Sequence, residues 1–143
     1  MPWTHRFSHR TDVAAEALWA VLADVAGWPA IDRGIADLRI DEEPRVGAEF
    51  ALKPHGGPRI RFSIERFEPP REYADRCCMP GASMTTVHRL TPDGEGTLME
   101  IEIHVRGPLA PLWGRLVGRK HARGLGAQTE RLVSAARERE RVR

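Results

Sequence analysis

No stretch of this chain is apolar for long enough to cross a bilayer, and its opening, MPWTHRFSHR, lacks the unbroken apolar core of a signal peptide. Both absences point to a cytoplasmic protein without stable membrane insertion. Cysteine is nearly missing. The two present, Cys77 and Cys78, are neighbours, and adjacent residues on a strand point to opposite faces, which argues against a structural disulfide between them. Aromatic residues make up only 6% of the chain, and the formal net charge of +2 is too small to imply a nucleic-acid partner. What is present is ordinary for a globular protein: 143 residues, 41% hydrophobic and 29% charged. Residues 1–143 are therefore expected to form one domain, large enough to bury a core and to enclose a cavity.

The last quarter, from Gly107 to about Arg139, reads as one long amphipathic helix. Pro108 and Pro111 suit a first turn whose N–H groups are unpaired anyway. Leu109, Leu112, Trp113, Leu116 and Val117 recur at spacings of three and four, and the stripe resumes with Leu125, Leu132 and Val133. Such a helix spans roughly 50 Å, too long for the one short helical pattern elsewhere to cover. A curved sheet is the available partner. At the C-terminal end Arg137 is expected to face Glu140, and Glu138 to face Arg141, on a solvated, fraying terminus.

The remaining text supplies that sheet. Residues 2–9 alternate as a half-buried strand, with Trp3, His5 and Phe7 on one side. Thr11 or Asp12 is expected to cap a short helix with Val13, Ala17, Leu18, Val21 and Leu22 inward, broken at Gly27 and Pro29 and followed by a turn of helix through Trp28 to Asp32. Strands are then expected at Ile35 to Asp41, Val46 to Pro54, Arg59 to Phe67, Tyr73 to Met79, Met84 to Leu90 and Thr97 to Arg106, all joined by short turns and so antiparallel. The expected class is α+β, with a seven-stranded curved antiparallel sheet wrapped around the long C-terminal helix and two short helices after the first strand. The gap between helix and sheet is where a small molecule would go.

The segments LWAVLADVAGWPAID (Leu18 to Asp32), GAEFALKP (Gly47 to Pro54), FEPPREYADR (Phe67 to Arg76) and GTLMEIEIHVRGPLAPLW (Gly96 to Trp113) carry a resemblance over nearly the whole chain. They resemble the helix-grip (SRPBCC, START-like) superfamily, which includes START lipid-transfer domains, polyketide cyclases and dehydrases, coenzyme Q-binding proteins and the birch pollen allergens. The resemblance implies the helix-grip fold and a cavity roofed by the short helices. Its words are structural, and no catalytic motif carries over residue by residue.

Several chemistries compete for the site. The six histidines have no zinc-site spacing, and His5 and His9 on one strand stand about 13 Å apart, too far to share an ion, so neither metal nor other cofactor is expected. Cys77 and His88 lie on neighbouring strands, which permits a thiol–imidazole approach, although a cysteine there more commonly packs as a small hydrophobe. Tyr73 and Asp75 share one strand face, and Thr86 and His88 share a face of the next strand. If both faces point inward, a carboxylate, a phenol and an imidazole meet in an apolar pocket suited to enolisation, aldol closure or dehydration; the alternative is that they face solvent or satisfy one another.

The leading expectation is a domain that binds a small hydrophobic molecule: lipid-, isoprenoid- or polyketide-like. Its pocket is assigned Trp28 at the mouth, Phe50, Leu52, Phe62 and Ile64 from the first strands of the meander, Tyr73, Met84, His88 and Ile101 from the later ones, and Leu116 and Lys120 from the long helix. A cyclase or dehydrase using His88, Asp75 and Tyr73 is the second reading. The third is a protein-interaction module whose basic helix, with Arg115, Arg119, Lys120 and Arg123, or sheet edge docks a partner.

Overall fold

The computed structural model describes residues 2–142. One seven-stranded antiparallel sheet forms the body, with strands β1 (Trp3–Thr11), β2 (Ile35–Ile40), β3 (Glu49–Pro54), β4 (Ile60–Glu68), β5 (Glu72–Met79), β6 (Ala82–Asp93) and β7 (Gly96–Arg106). Their spatial order is β1-β7-β6-β5-β4-β3-β2. Strands β2 to β7 form a meander, and β1 closes its far edge by pairing along its length with β7, from Trp3 opposite Val105 to Thr11 opposite Thr97. Register shifts near Ile35 and Ile64 add the local twist that curves a sheet.

Alternation of side chains gives the sheet a wet and a dry face. In β7 Thr97, Met99, Ile101, Ile103 and Val105 are buried while the residues between them are half-buried on the outside. The outer face is laced across four strands: Glu72 meets Arg66 at 2.9 Å and Arg89 at 3.7 Å, Arg89 also pairs with Glu102, and Glu102 meets His104 at 2.9 Å.

Two short helices, α1 (Ala15–Leu22) and α2 (Trp28–Ile31), follow β1 and roof one end of the dry face. Neither Thr11 nor Asp12 caps α1, contrary to the sequence expectation. The helix starts later, after Ala14 in extended conformation and with no side-chain cap, because Thr11 is still the last residue of β1, where its Oγ1 accepts the Val13 N–H at 3.3 Å.

The C-terminal helix runs through α3 (Ala110–Trp113), a wider π-helical turn (Gly114–Gly118) and α4 (Arg119–Val142). Its buried stripe differs from the one the leucines suggest. Ala110, Gly114, Gly118, Leu125, Thr129, Val133 and Ala136 face the sheet, whereas Leu109, Leu112 and Leu116 are 43%, 49% and 58% exposed. The reason is Trp3. Its indole lies against the helix backbone, where a Cβ on Gly114 would stand 2.3 Å from its Cγ and one on Gly118 2.6 Å from its Cζ3. A hydrophobicity pattern cannot register glycines that are buried because they are small.

The helix end is clamped rather than fraying. Arg131 reaches Asp32 at 3.4 Å, Arg137 reaches Asp12 at 2.5 Å, and Arg139 reaches Asp24 at 3.1 Å while also donating to the Ala20 carbonyl at 3.2 Å. Arg137 is thus drawn away from Glu140, while Arg141 keeps Glu138 at 3.8 Å. Each pair is exposed and individually weak, but together they fix the helix against the α1–α2 segment.

Candidate functional site

A polar belt crosses the apolar interior. On β5 Asp75 lies between Tyr73 and Cys77; on β6 Thr86 and His88 lie between Met84 and Leu90; on the helix Thr129 lies between Leu125 and Val133. In each case the flanking residues belong to two different apolar clusters. One gathers α1, Phe50, Ile64, Tyr73, Leu90, Met99 and Val133, and the other Cys77, Met84, Ile101, Ile103, Val105 and Leu125.

Register brings the belt together, since Tyr73 stands opposite His88 and Asp75 opposite Thr86. The Tyr73 hydroxyl donates to Asp75 Oδ2 at 2.9 Å, and the Tyr73 and His88 rings lie with centroids 5.9 Å apart. From the helix, His121 Nε2 reaches Thr86 Oγ1 at 3.2 Å. Two buried atoms of the belt, His88 Nδ1 and Thr129 Oγ1, have no hydrogen-bond partner among the described residues. Native interiors rarely leave such atoms unpaired, because each carries an uncompensated desolvation penalty.

Burial shifts these groups in opposite directions. It pushes the Asp75 carboxyl up to about 7, against the lowering effect of the Tyr73 hydrogen bond. It raises the Tyr73 phenol well above its ordinary value, reinforced by the neighbouring carboxylate. His88 is brought down to about 4 by burial and then by His121; His121 is brought down to about 4 by burial, with Asp32 opposing. At neutral pH the belt holds neutral imidazoles beside a carboxyl whose burial opposes its ionisation. Both histidines are surrounded by protein yet only half-buried by accessible surface. Phe62, Leu52 and Trp28 are likewise half-buried.

Apolar side chains line the rest of the interior. Phe50 and Phe62 stack at 5.1 Å with planes 6° apart, and Trp28 meets Phe50 and Tyr73 edge-on at 5.6 and 5.8 Å. The Trp28 Nε1–H donates to the Leu22 carbonyl at 3.1 Å, which ties α2 to α1 over the aromatic group. Ile64, Met84 and Ile101 are buried on the same dry face. Two surface depressions, of about 380 and 590 Å³, lie away from the belt, one beside Val25 and Ile40, the other beside Arg6 and His104.

One assignment from the sequence needs correction. Leu116 is 58% exposed and Lys120 is exposed, so neither reaches the interior; the wide turn at Gly114–Gly118 and the fit of Trp3 direct their face of the helix outward. The Cys77–His88 approach that neighbouring strands permit does not occur, and Cys77 packs in an apolar cluster, the more common outcome for such a cysteine. Cys77 stands opposite Met84, and burial pushes its thiol up to about 12, which leaves it without nucleophilic character near neutrality. His121 and Thr129 were missed. Counting from Gly114 in steps of three and four reaches 118, 121, 125 and 129, so the signal existed once the stripe was anchored on glycine instead of leucine.

A family model described as polyketide cyclase / dehydrase and lipid transport matches residues 4–137. Among solved structures, the chain is similar to norcoclaurine synthase from Thalictrum flavum in complex with dopamine and hydroxybenzaldehyde, with a TM-score of 0.79 at 12% identity, covering 96% of this chain and 88% of that one. It is similar to Ara h 8.0201, with a TM-score of 0.72 at 13% identity, covering 94% and 99%. It is also similar to the di-domain ARO/CYC StfQ from the steffimycin biosynthetic pathway, with a TM-score of 0.73 at 18% identity, covering 99% of this chain and 52% of that one. At these identities the likeness is one of fold. No protein of curated function matches the chain.

Proposed function

The chain belongs to the polyketide cyclase / dehydrase and lipid transport family, and on that premise we propose that it takes up a small hydrophobic molecule between the sheet and the C-terminal helix. The ligand is lipid-, isoprenoid- or polyketide-like, its apolar part lies against Phe50, Phe62, Met84 and Ile101, and a hydroxyl or carbonyl meets the polar belt. The observation that carries this reading is His88 Nδ1, a buried nitrogen between two apolar clusters that has no hydrogen-bond partner among the described residues. A ligand hydroxyl would pair with it in either tautomer, and a ligand carbonyl would accept from it when Nδ1 carries the proton; burial of apolar surface, at about 25 cal/mol per Å², would supply the affinity. Among the described residues no helix is long and apolar enough to cross a membrane, and a cytoplasmic location is part of this proposal.

Titration with a fluorescent apolar probe, displaced by a panel of hydroxylated and deoxygenated aromatic polyketides, tests this. Hydroxylated members should compete better, and His88→Phe should erase the difference between the two sets. Equal competition by both sets in the wild type would remove His88 from recognition.

A second reading is favoured by one observation, the Asp75 carboxyl held at about 7 beside a phenol. A carboxyl poised there exchanges protons near neutrality, which is the requirement for general acid–base work on an enolisable substrate. Asp75→Asn would then retain probe binding and lose turnover.

A further inference from the structure

The outward face of the first turns of the C-terminal helix has no role in the pocket. Leu109, Leu112 and Leu116 are 43%, 49% and 58% exposed, three of the five large hydrophobic side chains exposed among the described residues. At about 100° per residue they share the side of the helix opposite Gly114, Gly118 and Leu125. Lys120 and Arg123 are exposed on the same side, with Arg119 and Arg115 exposed along its flank, and none of the four forms an ion pair among the described residues. From Gly107 to Thr129 there is no aspartate or glutamate at all. This contrasts with the far end of the same helix, where Arg131, Arg137 and Arg139 are all matched to acidic partners.

We propose that this face docks on an anionic lipid bilayer, with Leu112 and Leu116 entering the headgroup region and Arg115, Arg119, Lys120 and Arg123 meeting lipid phosphates. The face is convex, so it offers no groove for a peptide. Its cations are not interleaved with exposed aromatic rings, so it offers no stacking platform for a nucleic acid. Long basic side chains around a few leucines on one helix face are the composition of a helix that lies in a membrane interface. Charge complementarity selects the anionic surface over a neutral one. The docked face adjoins the loop at Gly107 and the turn at Gly81, where the Leu109 N–H bonds the Gly81 carbonyl at 2.9 Å, so docking sets one end of the grip against the lipid.

Co-sedimentation of the full chain with vesicles tests the proposal. The protein should pellet with phosphatidylcholine vesicles containing phosphatidylserine and not with phosphatidylcholine alone, and the bound fraction should fall as salt rises. Leu112→Ser with Leu116→Ser, and separately Arg119→Glu with Arg123→Glu, should each weaken partitioning by about tenfold or more. Thermal midpoints should stay at the wild-type value, because all four residues are exposed. Wild-type protein that pellets with neither vesicle, or variants that pellet as well as wild type, would overturn the proposal. So would retention by duplex DNA or an acidic peptide without retention by anionic vesicles.

Discussion

The Tyr73 hydroxyl donates to Asp75 Oδ2 at 2.9 Å inside the protein, two residues apart on the inner face of one strand. This bond is the carboxyl's only hydrogen bond among the described residues, and it opposes the burial that makes the group hard to ionise. Tyr73→Phe should therefore destabilise the fold by about 1–3 kcal/mol, the range for leaving a buried polar group unsatisfied. It should also raise the Asp75 pKa further. Chemical denaturation and NMR titration of the carboxyl carbon would read both effects; a downward pKa shift would contradict the assignment.

The pH dependence of stability follows from three groups with two signs. His88 and His121 titrate at about 4 in the fold against 6.5 ordinarily, so the unfolded chain takes up protons there and stability is lost as pH falls from 6.5 towards 4. Asp75 titrates at about 7 against 3.8, so the fold keeps a proton that the unfolded chain releases, and stability is lost as pH rises through that window. Two protons oppose one, and these groups together make stability rise with pH between about 4 and 6.5, by at most about 1.4 kcal/mol per unit. Asp75→Asn removes the opposing group. Urea denaturation should show a steeper rise in the variant and, relative to wild type, a gain between pH 4 and pH 8. Parallel curves would mean that Asp75 ionises freely.

Glycine substitutions separate two kinds of position on the helix. Gly118→Ala places a methyl 2.6 Å from the Trp3 ring and should destabilise by about 1–3 kcal/mol, with partial recovery in a Trp3→Leu background. Gly124→Ala meets nothing within 4 Å and should stabilise by up to about 1 kcal/mol through helix propensity alone. Thermal unfolding of the two variants should move in opposite directions.

Thiol labelling distinguishes the adjacent cysteines. Cys78 is exposed and Cys77 is buried with its thiol pushed up to about 12. Iodoacetamide at mild alkaline pH should add one equivalent to the folded protein, at Cys78, and a second only on unfolding.

The sheet was legible in the sequence because alternation is a strong signal in strands such as Ile60–Glu68 and Gly96–Arg106, where one face is apolar and the other charged. The same alternation grouped Tyr73 with Asp75 and Thr86 with His88. It could not choose the inner face, since β5 buries Tyr73, Ala74, Asp75 and Cys77 on both sides of the strand. The helix was legible as a helix and misread as a surface. Leucines at 109, 112 and 116 look like a core stripe, and only the tertiary fit of Trp3 onto Gly114 and Gly118 reveals that the core side is the small-residue side. His121 and Thr129 followed that error out of view. Pairings such as Arg137 with Asp12 span the chain's ends and leave no local trace.

Mass spectrometry tests the central claim most directly. The protein is purified gently from its own source and weighed intact under native and then denaturing conditions, alongside a His88→Phe variant handled identically. A ligand held between sheet and helix predicts a reproducible excess mass that is released on denaturation and diminished in the variant. Identical native and denatured masses, together with no uptake of an added apolar probe, would contradict the account.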